Sequence, residues 1–282
     1  MANFIGLLIN LLLDPLLILG VGPFPRIEVA GAAVATVSAQ LVVMLVMMVG
    51  VFRSKKEENV LKGIRLFEPF SKEELGNICK IGGPTAIQGM VYCMISMVLT
   101  RMVAAFGAEA IATQRVGGQI ESVSWNTADG FAAALNAFVG QNYGAKKMDR
   151  VQEGYRISFW TVAIWGALIM LAFIIFPGPI AGVFFHEEKA MEIAISYLII
   201  IGFSEAFMCV ELMTIGALSG LGKTKLCSVI SITATSMRIP LAMVLSRTSL
   251  GLDGIWWALT LTSVAKGIIF YLTFRYQMRE KC

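Results

Sequence analysis

Charge is scarce in this sequence. Asp, Glu, Lys and Arg make up 15% of its 282 residues, against roughly 25% in soluble domains. Apolar residues make up 57%, and the mean hydropathy is +0.74. That balance excludes a water-soluble globular fold. Histidine is nearly absent: His186 stands alone in a connection and reads as solvated, so there is no Ser/His/Asp set and no H-E-x-x-H zinc motif. The five cysteines lack C-x-x-C spacing and lie in or beside apolar segments, which indicates neither a disulfide framework nor a metal site. No glycine-rich dinucleotide fingerprint occurs. The run GALSGLGKT misses the phosphate-loop pattern because Ala217 stands where a glycine is needed, and it reads as an inter-helix turn. Enzymatic chemistry therefore has no candidate residues, and no nucleic-acid partner or cofactor is read. The N-terminus lacks a basic region and a small-residue cleavage site, so it is not read as a signal peptide.

What the sequence has is long apolar runs. A lipid core about 30 Å thick needs roughly 20 mostly apolar residues per helical span, and eight segments qualify, near 3–20, 29–52, 77–102, 111–140, 156–177, 191–216, 226–246 and 254–274. Lipid offers no partner for backbone polar groups, so spans of this kind are helices; the short alternating pattern of a barrel is missing. The expected fold is an all-α integral membrane protein with eight transmembrane helices in the bilayer. Lys and Arg cluster in 53–80, 146–156, 223–225 and 275–281, all on one side of an eight-span path, while the opposite connections hold Arg26, Arg101, Lys189 and Arg247. Positive connections stay inside, which places the 53–80 linker and the C-terminus in the cytoplasm of a multi-pass plasma (inner) membrane protein.

The chain also echoes itself. DPLLILGVGPFPRIEVAGAAVATVSAQ near the start and RIPLAMVLSRTSLGLDGIWWALTLTSVAKG near the end share a Pro-Leu, a turn-rich loop, a glycine (Gly31, Gly254) and an Ala four residues on (Ala35, Ala258). Six spans separate the copies, an even number, as in parallel-repeat transporters. The repeat predicts that 77–275 is a complete six-helix lobe, that 1–52 is the last helix pair of a preceding lobe, and that four helices are missing ahead of Met1. Residues 53–76, with Val60, Leu61, Ile64 and Phe67 at helical spacing, are expected to form an amphipathic linker at the cytoplasmic face. Residues 276–282 form a cytoplasmic tail.

Carboxylates inside spans are costly, about 2.5–3.5 kcal/mol even on lenient scales, and usually mark ion or substrate paths. Each residue of a helix turns about 100°, so Gln114, Trp125, Asn136, Asp129 and Ser122 all fall within about 100° of Glu121, making one polar stripe on the fourth span. The sixth span adds Glu205 and Glu211, about 120° apart in heading and so unlike members of one small site. Glu211 shares a face with Ser204, Met208 and Ile215, where a polarizable Met beside a carboxylate suits a cationic amphiphilic small molecule. Gln88 and Tyr92 of the third span join the cavity-lining candidates. A carboxylate in an apolar cavity holds a proton or a cation, but not both cheaply, which is a basis for exchanging Na⁺ or H⁺ against a cationic drug. Sodium needs several oxygen ligands, and Glu121, Asp129 and Glu211 are the possible set. Arg238 is expected to find a local carbonyl or carboxylate partner.

The motifs NLLLDPLLILG with GAAVATVSAQ, KIGGPTAIQG, QIES with AFVGQNYGAKK, and VELMTIGALSGLGKT, in this order, resemble the multidrug and toxic compound extrusion family over essentially the whole chain. The resemblance implies helices five to twelve of a twelve-helix exporter that exchanges Na⁺ or H⁺ for organic cations by alternating access. It puts Glu121 on the acidic position of QIES and Glu211 in the acidic region of the tenth helix. Two alternatives stand beside it. One is a lipid-linked oligosaccharide flippase of the same superfamily, which should show an Arg-rich cavity for a pyrophosphate; the other is a non-transporting fragment or scaffold.

Overall fold

The computed structural model describes residues 2–20, 27–53 and 71–279, and the chain divides into two units, Met1–Phe70 and Ser71–Cys282. The amphipathic linker expected over 53–76 falls largely outside the described residues.

In the first unit, α1 (Ala2–Leu19) and α2 (Glu28–Arg53) pair as a hairpin. Small residues let the two backbones approach. A methyl group on Gly31 would lie 2.6 Å from the Leu17 carbonyl oxygen, and Ala35 one turn on is fully buried.

The second unit is a bundle of nine described helices. They are α3 (Lys72–Ala104), α4 (Ala108–Gly144), α5 (Met148–Ile175), the short α6 (Pro177–Gly182), α7 (Glu188–Gly202), α8 (Glu205–Gly220), α9 (Thr224–Ser236), α10 (Arg238–Leu245) and α11 (Leu252–Arg279). A capping box opens α3, with the Ser71 hydroxyl accepting from the Glu74 amide while the Glu74 carboxylate accepts from the Ser71 amide.

Helix α8 is the centre of this unit because glycines bring three neighbours close to it. A methyl on Gly220 would lie 2.6 Å from the Asn136 carbonyl oxygen of α4, one on Gly166 of α5 would lie 2.7 Å from the Ala206 Cα, and one on Gly267 of α11 would lie 2.6 Å from the Phe207 carbonyl. Lipid gives apolar helices no reason to associate beyond packing and hydrogen bonds, so such approach distances carry the association. Around α8 the core holds Val139, Met213, Leu218 and Phe270, and the Tyr155 ring stacks on Phe274 with centroids 3.7 Å apart.

Two spans are broken. Helices α7 and α8 bend by 50° across Phe203 and Ser204. The amide of Ser204 bonds the Ile201 carbonyl instead of that of Ile200, and Thr260 of α11 donates its hydroxyl to the Ile200 carbonyl at 2.8 Å. A freed backbone group inside a bundle is thus satisfied from a neighbouring helix, as membrane burial demands. The second break separates α9 from α10 at Met237, with Pro240 in the first turn of α10 where its missing amide costs nothing.

Six described segments are long and apolar enough to cross a membrane, namely α1, α2, α3, α5, α11 and the α9–α10 stretch Thr224–Leu245 taken together, and seven with the bent α7–α8 pair as one span. The remaining expected span is α4, a 37-residue helix that carries Glu109, Arg115, Glu121 and Asp129 and is too polar to qualify on composition. The all-α membrane fold stands, with α4 the member that composition alone does not identify. The GALSGLGKT run ends α8 and turns through Gly222 at φ +73°, a left-handed conformation that favours glycine, before α9 begins.

The echo between the ends of the chain has a local packing counterpart. Gly254, in the first turn of α11, sits against the Leu245 carbonyl with 2.5 Å to an added methyl, and Ala258 one turn on is fully buried. Gly31 and Ala35 stand in the same relation to the end of α1.

Candidate functional site

Within the second unit, helices α3, α4, α7, α8, α10 and α11 enclose a cavity of about 870 Å³. Glu121 comes to its wall because its heading on α4 matches that of Ala128, Leu135 and Val139, the buried ridge that packs against α8. Its carboxylate accepts a hydrogen bond from the Tyr197 hydroxyl of α7. Tyr197 is itself fixed: its ring lies against Gly117 and meets Trp256 edge-on at 5.0 Å. Glu121 makes no ion pair with Arg115 among the described residues.

Arg238 of α10 lines the same cavity and is within electrostatic reach of Glu121. Its Nε donates to the Thr262 hydroxyl at 3.0 Å and its Nη2 to the Ser263 hydroxyl at 2.9 Å, so its local partners are hydroxyls of α11 rather than a carbonyl or carboxylate. Hydroxyls satisfy protons without cancelling the charge. Glu205, fully buried at the start of α8, lies within electrostatic reach of Glu121, and neither of its oxygens has a hydrogen-bond partner in the described structure. The Ser124 hydroxyl beside it pairs with the Cys209 thiol at 3.2 Å.

Glu211 lies elsewhere. It is buried against α11, where Lys266 Nζ donates to its Oε1 at 2.8 Å, both side chains being less than a tenth exposed. The 120° separation between Glu205 and Glu211 therefore becomes two environments, one at the cavity and one in an ion pair. Of the other expected residues, Tyr92, Gln114, Trp125, Ser204 and Met208 line the cavity; Gln88 and Ser122 do not, and Ser122 bonds back to the Gln119 carbonyl at 2.6 Å. Asp129 and Asn136 are exposed and outside it. They share the polar stripe but are turned about 60–80° from Glu121, off the ridge that α8 covers. The sodium set of Glu121, Asp129 and Glu211 is consequently not gathered: no group of three acidic, histidine or cysteine side chains that could hold a metal occurs among the described residues.

The charge of the lining is basic on balance. Arg101, Arg115 and Arg238 face one carboxylate, Glu121. Sequence reasoning did not identify Tyr197, Lys266 or Arg101 as site or network members. For Lys266 the signal was present, a lysine inside an apolar span.

The charged cavity lies inside a polytopic helical bundle, and comparison with known proteins gives the family. The MatE family model matches residues 84–244, and the chain belongs to that family, whose members are transporters, not enzymes. The chain is 29% identical over 280 residues to a probable multidrug resistance protein, NorM, of Thermotoga maritima, covering 96% of this chain and 59% of that one. It is 27% identical over 267 residues to an FAD transporter of Shewanella oneidensis, covering 94% and 58%. A crystal structure of a MATE protein in its straight conformation shares the fold at a TM-score of 0.87 and 22% identity, over 99% of this chain and 62% of that one. The chain thus spans about 60% of the length of the relatives it matches.

Proposed function

We propose that this chain is part of a secondary antiporter that exports amphiphilic small molecules in exchange for Na⁺ or H⁺, with Glu121 as the coupling carboxylate. The observation that carries the reading is the position of Glu121: on the cavity wall, held by Tyr197, facing Arg238, with the unpartnered Glu205 behind it. A proton or Na⁺ leaving this pair of carboxylates changes the charge that the cavity presents, which links ion movement to ligand release. Drug efflux is supported by the multidrug relatives. Glu211 and Asp129, the other expected coupling residues, have secondary roles in this reading: Glu211 is committed to Lys266 and Asp129 is outside the cavity.

The lobe division is supported by the boundary at Phe70–Ser71 and by the matched packing of Gly31 and Gly254. Residues 77–275 are the six-helix C-terminal lobe in this reading, and residues 1–52 the last pair of the preceding one. The basic residues of 53–80 and of the tail favour a plasma (inner) membrane protein with a cytoplasmic C-terminus.

The test is ion-driven dye efflux from proteoliposomes holding the full protein, under an imposed proton or sodium gradient. Loss of gradient-driven efflux in Glu121→Gln and Glu205→Gln, with dye binding retained, is the expected result. Unchanged efflux in both variants overturns the coupling role.

A further inference from the structure

Three arginines and one carboxylate give the cavity lining a formal charge of +2, and counting Glu205 as ionised behind the wall still leaves +1. Arginine stays protonated wherever it sits, so the net charge does not fall below +1, and a proton on either carboxylate only raises it. Among the described residues, Arg101 and Arg115 have neither an ion-pair nor a hydrogen-bond partner. Arg238 is buried and spends Nε and Nη2 on uncharged hydroxyls, leaving Nη1 without a partner in the described structure. Guanidinium forks match carboxylate and phosphate oxygens in pairs, and of the three Arg238 is the buried one, where a charge without an ionic partner is costly. The walls between them present rings: Tyr92 is 54% and Trp125 is 40% exposed. A cavity of about 870 Å³ falls in the range that takes a drug-sized ligand.

We propose that this cavity binds an organic anion that joins a planar aromatic group to a phosphate or carboxylate, the arginines Arg101, Arg115 and Arg238 meeting the anionic group and Tyr92 and Trp125 the ring. This rests on the transport function proposed above and names the substrate class of the same site, with the sign of charge opposite to that of a cationic drug. The inference also separates two roles. Glu121 and Glu205 answer to the coupling ion, and the arginines answer to the cargo.

The test uses two xanthene dyes of similar size and opposite charge, fluorescein and rhodamine 6G, titrated by fluorescence anisotropy onto the purified full chain in phosphatidylcholine nanodiscs. Fluorescein is expected to bind at least about tenfold more tightly, each of Arg101→Gln and Arg115→Gln to weaken it about tenfold, the worth of one charge-assisted hydrogen bond, and added KCl to weaken it further. Both substituted side chains are exposed in the described structure, so folding is not at risk. Competition locates the source of the anion. Displacement of fluorescein by 4-nitrophenyl phosphate supports a soluble aromatic anion, and displacement by farnesyl pyrophosphate alone overturns the aromatic part in favour of a lipid-borne pyrophosphate. Equal binding of the dyes, or a preference for rhodamine 6G, overturns the anion assignment and leaves the transport reading standing. Binding of neither dye overturns both.

Discussion

Replacing Lys266 by Met removes one half of the buried Lys266–Glu211 pair. At the observed 2.8 Å separation the gross attraction is about 6 kcal/mol at an effective dielectric constant of about 20. Desolvating the two ions costs several kcal/mol each, so the intact pair contributes little net stability. The single substitution is different, because it leaves Glu211 buried and uncompensated, with its Oε2 already lacking a partner. The expected cost is about 3–5 kcal/mol, or a Tm lower by about 6–20 °C for a unit of this size. Cys209 and Cys227 are buried and report unfolding when a thiol-reactive coumarin labels them; Cys79, Cys93 and Cys282 are changed to Ser so that these two alone respond. The double variant Glu211→Leu/Lys266→Met removes both charges together and should return to within about 1 kcal/mol of the parent. A single variant costing under about 1 kcal/mol, with a double variant equal to the sum of the singles, would refute a buried ionic pair at this position.

Thr260→Val keeps the side-chain shape and removes the hydroxyl that serves the Ile200 carbonyl at the α7–α8 break; a loss of about 1–3 kcal/mol is expected in the same thermal assay, and no loss would mean that the break needs no external donor. Gly31→Ala and Gly254→Ala each drive a methyl into a carbonyl of the preceding helix. Both should lower Tm, by comparable amounts if the two helix pairs are copies of one design, and a neutral Gly31→Ala beside a damaging Gly254→Ala would break the equivalence.

The sequence made some of this legible and hid the rest for physical reasons. Apolar runs announce spans because lipid imposes the same length on each, and seven of the eight expected segments qualify on composition in the structure. The exception, α4, gives itself away through the charged stripe that disqualifies it. Helix periodicity separated Glu205 from Glu211 correctly, since both lie on the same helix. It merged Glu121 with Asp129 and Asn136, because a helical wheel shows heading but not which heading a neighbour covers. Only the packing of α8 glycines onto α4 sorts them, and that depends on tertiary approach. Tyr197 and Arg238 reach Glu121 from α7 and α10, separated from it by 76 and 117 positions in the numbering (197 − 121 and 238 − 121). No local pattern carries such proximity.

The break at Phe203–Ser204 explains how one span serves two electrostatic environments. In a straight helix the span would keep one axis, and the groups of α7 and α8 would be ordered by heading alone. With the 50° bend, Tyr197 and Ile201 before the break and Ser204 and Met208 after it all face the cavity. Further along α8, Glu211 is directed into the α11 side of the bundle, where Lys266 meets it. Arg238 stands between the two, within electrostatic reach of Glu121 on one side and of Lys266 on the other. A change of charge at Glu121 would be felt by Tyr197, which is hydrogen-bonded to it, and by Arg238 within its electrostatic reach, and the Arg238–Lys266 repulsion extends that reach toward the Glu211 pair. Straightening the break would return the Ser204 amide to the Ile200 carbonyl and release Thr260 from it, altering the contact between this span and α11. Under the proposed antiport, a proton or ion at Glu121 and the shape of the α7–α8 span would be coupled through Tyr197, which is hydrogen-bonded to Glu121, and through Arg238 and Lys266, which lie within electrostatic reach along that path.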